Sequence, residues 1–167
     1  GGMAGRDMNA LAQGLYEGTE LEYLESRISQ VARLGEKMRS AGIPLQVPFG
    51  GHAIFIDAGT FLPHIPAEEF PAQRLAVEIY LEGGIRSAEI GTIMADRDPV
   101  TRVNRHPDLE LVRLALPRRV YTDNHMDYVA AAVINVFRRR NEIRRGLAIR
   151  WEAPIMRHFT VELDLLS

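Results

Sequence analysis

A single arginine interrupts an apolar run in the second half of the chain. Residues 110–116 read Glu-Leu-Val-Arg-Leu-Ala-Leu before Pro117, a pattern that predicts a short buried strand. The guanidinium of Arg113 cannot give up its charge, so burying it requires a nearby anion. That anion is either a structural Asp or Glu, or the carboxylate or phosphate of a ligand held by paired hydrogen bonds. The residues alone leave both interpretations open.

Few other side chains offer reactive groups. The chain contains no cysteine, which excludes disulfides, zinc–thiolate sites and cysteine nucleophiles. Lys37 is the single lysine, and its place among the charged residues of a predicted helix favours an exposed, ordinary amine. His52 and His158 each stand at the start of a predicted strand, where a histidine is more often structural than functional. We identify no metal ligands.

The composition is that of one globular domain. The chain has 167 residues, of which 46% are hydrophobic and 25% charged, and its net charge of −2 gives no reason to expect a nucleic-acid or membrane partner. The arginines at 138–140 and 144–145 lack interleaved aromatic residues and are interpreted as solvated helix ends. No apolar run approaches the ~18–20 residues of a membrane span. We therefore expect a cytoplasmic protein.

The remaining pattern predicts the elements that position Arg113. Apolar residues at three- and four-residue spacing predict a helix from Asp7, its expected cap, to Arg39, with a bend near Gly14 and Gly18. Further along we predict strands at 45–47, 52–57, 85–91, 111–116, 147–151 and 159–163, helices at 71–82 and 122–143, and an exposed loop at 96–107. This order indicates an α+β fold, with helices packed on a mostly antiparallel sheet.

Seven stretches, in order across the whole chain, carry a family resemblance. They are Gly-Gly-Met-Ala-Gly-Arg-Asp-Met at 1–8, Gly-Gly-His-Ala-Ile-Phe-Ile-Asp at 50–57, Phe-Pro-Ala-Gln at 70–73, Gly-Ile-Arg-Ser-Ala-Glu-Ile-Gly at 84–91, Val-Arg-Leu-Ala-Leu-Pro-Arg at 112–118, Tyr-Thr-Asp-Asn-His-Met-Asp at 121–127 and Met-Arg-His-Phe-Thr at 156–160. Together they resemble the C-terminal third of the pyridoxal-phosphate-dependent β-eliminating lyases, tryptophanase and tyrosine phenol-lyase.

The resemblance implies a division of the chain. In that family, which has the fold of type I pyridoxal-phosphate enzymes, a large domain holds the cofactor and a small domain closes over the substrate. Residues 1–42 would be a long helix leading to a large domain that is absent here, and residues 43–167 would be the small C-terminal α+β domain. The expected partners are that missing domain, or a partner chain that carries it, and further copies in a homotetramer.

The resemblance also implies site residues. The family's strand arginine binds the α-carboxylate of the amino-acid substrate, which gives Arg113 that role. Ile90, His158 and Ala88 would line the ring pocket. Phenol-lyases carry an arginine at the position of Ile90 and a phenylalanine at that of His158, so both positions favour tryptophanase, whereas the segments 4–7 and 117–121 look more like phenol-lyases.

The catalytic groups are expected elsewhere. The lysine that binds pyridoxal phosphate covalently in the family would lie upstream of Gly1, and Lys37 does not match it. We therefore expect no catalytic residue in this chain, no cofactor bound to it alone, and no activity without the missing part. Two alternatives stay open, a free-standing amino-acid-binding module and a structural fragment that self-associates through exposed Met8, Leu11 and Leu15. An Arg113 paired with Glu89 or Glu110 would contradict the ligand role.

Overall fold

A computed structural model describes residues 1–166, and its elements confirm the predicted α+β class. The helices are α1 (Gly5–Glu17), α2 (Leu21–Ser40), α3 (Ala58–Phe61), α4 (Pro71–Gly83) and α5 (Asp123–Arg138). The strands are β1 (Ala53–Asp57), β2 (Ala88–Ile90), β3 (Leu111–Ala115), β4 (Leu147–Trp151) and β5 (Glu162–Leu165). One sheet has the order β1-β3-β2, β4 and β5 form a separate hairpin, and every pairing is antiparallel.

The first 40 residues form two helices. The chain leaves the helix at Gly18, as the predicted bend required, and resumes it at Leu21. Asp7 does not cap α1, because Ala4 precedes the first turn and Asp7 lies within it. No residue of α1 is buried, whereas α2 buries its second half, including Leu34 and Met38. Helix α2 is therefore packed into the core through its second half, whereas α1 is not.

The main core lies under one face of the three-stranded sheet. Side chains alternate along a strand, so Ile54 and Ile56 of β1 and Val112 and Leu114 of β3 all point to this face. They form one apolar cluster with residues of α2, α4 and α5. β3, as the central strand, is thus fixed on both edges and on one face.

Several predicted elements are shorter or displaced. The prediction of a strand at 45–47 is wrong, because a single isolated bridge, between Leu45 and Ile56, is all that forms there. Pro48 follows shortly afterwards and has no N–H to continue the pairing. The helix begun at Asp123 ends at Arg138 rather than 143, and a 3-10 turn follows at Arg140–Glu142. The apolar spacing of the helix predicted at 71–82 turns Tyr80 toward the core, but the structure leaves this side chain exposed.

The last predicted strand is also displaced. Residues Arg157–Phe159 form a 3-10 turn, and β5 begins only at Glu162. The turn follows Met156, whose positive φ of 54° redirects the chain. The hairpin of β4 and β5 rests on a second, small apolar cluster of Phe70, Ile93 and Leu147, flanked by Ile149, Val161 and Leu163.

Within residues 1–166, no helix combines the length and the apolar character that crossing a bilayer demands.

Candidate functional site

The outer face of the three-stranded sheet brings together three of the four predicted site residues. Register places Phe55, Arg113 and Ala88 side by side across the three strands. The next row on the same face contains Leu111 of β3 and Ile90 of β2. Directly opposite residues in an antiparallel pair have Cβ atoms about 5 Å apart. Arg113 therefore rises from the middle of a small surface with Ala88 beside it and Ile90 one row away.

The guanidinium of Arg113 has no anion within the described residues. Its side chain is partly buried, its Nε atom is fully buried without a hydrogen-bond partner, and it takes part in no ion pair of residues 1–166. The carboxylate of Asp57, at the end of the neighbouring strand, accepts hydrogen bonds from the N–H (3.0 Å) and the hydroxyl (2.7 Å) of Thr60. A buried donor without a partner is uncommon and needs an explanation.

The two acids that could have neutralised Arg113 bind a turn instead. This turn, residues 91–96, follows β2 and is called the 91–96 turn below. Glu89 accepts hydrogen bonds from the N–H groups of Ile93 and Met94, both at 3.0 Å. Glu110 accepts from the N–H of Thr92 at 2.8 Å and from its hydroxyl at 2.5 Å. The arrangement that would have contradicted a ligand role for Arg113 is therefore not found.

The environment of Glu89 favours its protonated form. Burial raises the pKa of Glu89 to about 7, with a smaller upward contribution from the neighbouring Glu110 charge. Gly91 lies between the two carboxyl groups, and a Cβ atom there would overlap oxygens of both side chains. A glycine at this position is what allows both acids to reach the turn.

A buried arginine holds the 91–96 turn from its other side. Arg157 is 0% exposed, and its guanidinium donates to the carbonyls of Thr92 (2.6 Å), Ile93 (3.1 Å) and Asp96 (3.2 Å). Burial lowers the pKa of Arg157, yet an arginine keeps its charge near neutral pH. The carbonyl oxygens of the turn and the carboxylates of Asp96 (3.7 Å) and Glu152 (3.3 Å) together compensate this charge.

His158 lies next to Arg157 in the chain and not in the row of residues that contains Arg113. Arg157 also donates to Asn104 Oδ1 (2.7 Å) and Glu152 Oε2 (3.3 Å), which fixes the 3-10 turn that carries His158. The His158 ring packs on Phe159 with centroids 4.0 Å apart, and its Nδ1 is buried without a partner. In the described structure no hydrogen bond or ring contact joins His158 to Arg113.

An apolar cavity adjoins the predicted ring-binding residue. It has a volume of about 330 Å³ and is lined by Ile90, Met94, Pro107, Leu109 and Leu111, among others. A larger cavity of about 530 Å³ lies between α2, α5 and the end of β3, and none of the four predicted site residues lines it. The smaller cavity is the one that shares residues with the surface around Arg113.

Lys37 is unsuited to hold an aldehyde cofactor. Its Nζ lies 2.6 Å from the carboxylate of Asp127, which also receives two hydrogen bonds from Arg33 at 2.9 and 2.8 Å. These three side chains form a surface ion-pair cluster between α2 and α5. The described residues therefore do not fit covalent attachment of pyridoxal phosphate.

Sequence reasoning missed the buried charges behind the site. Glu89, Glu110 and Arg157 are 7%, 8% and 0% exposed. The available signal was weak: Glu89 alternates with Ala88 and Ile90 in a strand, and Glu110 begins the apolar run of β3. Arg157 lies between Pro154 and the last predicted strand, in a segment without regular spacing that gave no sign of burial.

Comparisons with known proteins agree on one family. Residues 4–132 match the family model described as beta-eliminating lyase. The whole chain is 66% identical to a probable beta-eliminating lyase of Trichomonas vaginalis, over 36% of that protein. It is 51% identical to a tyrosine phenol-lyase of Symbiobacterium sp. (strain SC-1), over 36% of its length, and 53% identical to one of Intrasporangium calvum, over 35%. The chain thus spans about a third of the length of these relatives and corresponds to their C-terminal part.

Proposed function

The chain belongs to the beta-eliminating lyase family, and we propose that it supplies the substrate-carboxylate arginine and part of the ring pocket of such a lyase. The proposed reaction consumes L-tryptophan and one water molecule and releases indole, pyruvate and ammonia. The observation that carries this proposal is the guanidinium of Arg113, partly buried on a sheet face, with its Nε lacking a partner.

A substrate carboxylate would neutralise the charge of Arg113 and give its buried Nε a partner. A guanidinium and a carboxylate form two parallel hydrogen bonds, each stronger than a neutral one. The bond from the buried Nε would fix the direction of the carboxylate, because that donor belongs to a rigid plane. Held in this way, the α-carbon of an amino acid has one orientation, which is the contribution that positioning residues make to catalysis.

The surface beside Arg113 favours an apolar ring. Ile90 and Ala88 carry no charge, and the adjoining cavity of about 330 Å³ has Met94, Leu109 and Leu111 in its wall. An isoleucine offers no donor to a phenol oxygen, whereas indole needs mainly apolar contact. His158, if it also faces the ring as the resemblance implies, would add a polar edge.

A second candidate is the elimination of phenol from L-tyrosine. Relatives 51% and 53% identical over this chain carry the name tyrosine phenol-lyase, which favours it. The two candidates share the role of Arg113 and differ only at the ring.

The proposed lyase needs a part that this chain does not contribute. We propose that residues 1–42 connect to a large domain and residues 43–167 form a small domain that closes over the substrate. Bound in the large domain, pyridoxal phosphate would supply the electron sink for loss of the α-proton. We call the chain together with that large domain, in one polypeptide or two, the assembled enzyme, and propose a cytoplasmic homotetramer.

The first experiment compares arginine variants of the assembled enzyme. Arg113→Met should lower kcat/KM for L-tryptophan by about 100-fold, the loss of roughly 3 kcal/mol expected for a charged, paired hydrogen bond. Arg113→Lys should retain part of the activity. Arg150→Met is the matched control, since Arg150 is an exposed strand arginine paired with Glu162 (3.0 Å). Equal kinetics for Arg113→Met and the control would refute the assignment.

A second experiment separates the chain's own chemistry from that of the large domain. The isolated chain is treated with pyridoxal phosphate and borohydride, and its intact mass is measured. We expect only scattered labelling of amines. A single stoichiometric adduct at Lys37 would overturn the view that the cofactor is held elsewhere, and tight binding of a free amino acid without the large domain would instead favour a binding module.

A further inference from the structure

The 91–96 turn is held by buried charges on both sides. Its N–H groups are bound by the carboxyl groups of Glu89 and Glu110, and its carbonyl groups by the guanidinium of Arg157. A surface turn normally directs such groups to water. Binding them to side chains that are less than a tenth exposed removes most of the turn's freedom.

The two ends of this arrangement are residues of the ring pocket. Ile90 comes directly before the turn, and His158 comes directly after Arg157. The path from one to the other runs through the turn and the guanidinium, with hydrogen bonds of 2.6 to 3.2 Å. Arg157, the first residue of the turn that carries His158, therefore ties that turn to the segment that follows Ile90.

We propose that Arg157 is a positioning residue for the aromatic ring of the substrate. Its planar guanidinium fixes the position of the turn that carries His158 relative to the segment that follows Ile90, so that the ring is held while the carboxylate is bound at Arg113. This inference rests on the proposed function, because the roles of Ile90, His158 and Arg113 are taken from it.

The geometry of the contacts explains why an arginine is needed. Arg157 donates to three backbone carbonyls and two side-chain oxygens of separate segments, which uses the fork of donors that only a guanidinium has. A lysine ammonium has three donors on one atom and cannot span the same acceptors. Arg157→Lys should therefore retain the positive charge but no longer hold the 91–96 turn and the turn that carries His158 at a fixed separation.

The test measures two substrates with the assembled enzyme. One is the aromatic amino acid that the unmodified enzyme turns over faster, L-tryptophan or L-tyrosine. The other is β-chloro-L-alanine, which has the same carboxylate and α-proton but loses chloride and leaves the ring pocket empty. Arg157→Met should lower kcat/KM for the aromatic substrate about 10- to 100-fold, as expected for a ring displaced by about 1 Å, and for β-chloro-L-alanine less than about threefold.

Two further variants separate positioning from loss of the fold. Asn104→Ala removes one acceptor of Arg157 (2.7 Å) and leaves its backbone contacts, so the protein should stay folded. The ratio of kcat/KM for the aromatic substrate to kcat/KM for β-chloro-L-alanine should fall in this variant too, but by less than in Arg157→Met. Arg74→Met removes a largely buried arginine, with a side chain 13% exposed, that is bound to Glu78 in α4 (2.6 Å), and it should leave the ratio of the two kcat/KM values unchanged.

The outcomes are distinct. An equal fall for both substrates in Arg157→Met and Asn104→Ala, with the protein folded by circular dichroism, would make Arg157 merely structural and overturn the inference. An unmodified enzyme that eliminates neither substrate would refute the proposed function instead.

Discussion

Replacement of Glu89 by glutamine should change how the stability of the chain depends on pH. Glu89 is 7% exposed, and burial raises its pKa from 4.5 to about 7. The folded state therefore holds this proton more tightly than the unfolded state does. The difference in pKa between 4.5 and about 7 corresponds to about 3 kcal/mol, at roughly 1.4 kcal/mol for each pH unit.

The sign of the effect follows from proton binding. Below pH 4.5 both states carry the proton, and the stabilising contribution of the neutral group is fully present. Between pH 4.5 and 7 the unfolded state ionises while the folded state does not, so the free energy of unfolding falls by up to about 1.4 kcal/mol per pH unit. Above pH 7 the loss is complete, at about 3 kcal/mol.

The assay is urea unfolding of the chain at intervals from pH 4 to 8. Glu89→Gln should lack this decline, so the difference between variant and parent should rise by about 3 kcal/mol across the window. A separate contribution should lower the variant's free energy of unfolding by about 1 kcal/mol at every pH, because its amide nitrogen replaces one of the two oxygens that accept from Ile93 and Met94. Glu25→Gln, at an exposed helix position, is the control. Parallel curves for Glu89→Gln and its parent would refute the reasoning.

Three further predictions concern the isolated chain. Arg113→Met should raise the free energy of unfolding by about 1 kcal/mol, because it removes a buried donor without a partner; a loss of stability in urea titrations would contradict this. Gly91→Ala should lower stability by roughly 3 kcal/mol or more, since its Cβ would overlap carboxyl oxygens of Glu110, and an unchanged thermal midpoint would be inconsistent with that overlap. Leu11→Glu combined with Leu15→Glu should shift sedimentation toward monomer, because the two leucines are 52% and 65% exposed; unaltered association would exclude α1 as the contact.

Much of the fold was predictable because its strands and helices have regular apolar spacing. β3 was identified from an apolar run ending at Pro117, and the break between α1 and α2 from Gly18. The errors arose where tertiary contacts override local pattern. Residues 159–163 alternate as a strand should, yet the need to bury Arg157 against the 91–96 turn holds Arg157–Phe159 in a 3-10 turn.

The site was predictable in part for a related reason. Arg113 stands out because a charge in an apolar run is conspicuous, and its neighbours Ala88 and Ile90 were singled out by resemblance. That these three share a sheet face depends on register, which a sequence does not specify directly. Glu89 and Glu110 were considered only as partners for Arg113. Their carboxyl oxygens instead accept hydrogen bonds from backbone N–H groups of the 91–96 turn, and no pattern of residue types reveals such contacts.

The two apolar clusters have a consequence for local dynamics. β3 and Arg113 rest on the large cluster shared with α2, α4 and α5, whereas the hairpin beside His158 rests on a cluster centred on three buried residues. Segments with few buried contacts open at lower free energy than the central core. Amide hydrogen exchange should therefore be slow in β3 and faster in β4 and β5. Under the proposed function, recognition of the carboxylate would belong to the globally cooperative unit, while the contribution of His158 to ring preference would come from a segment that can open without unfolding the rest.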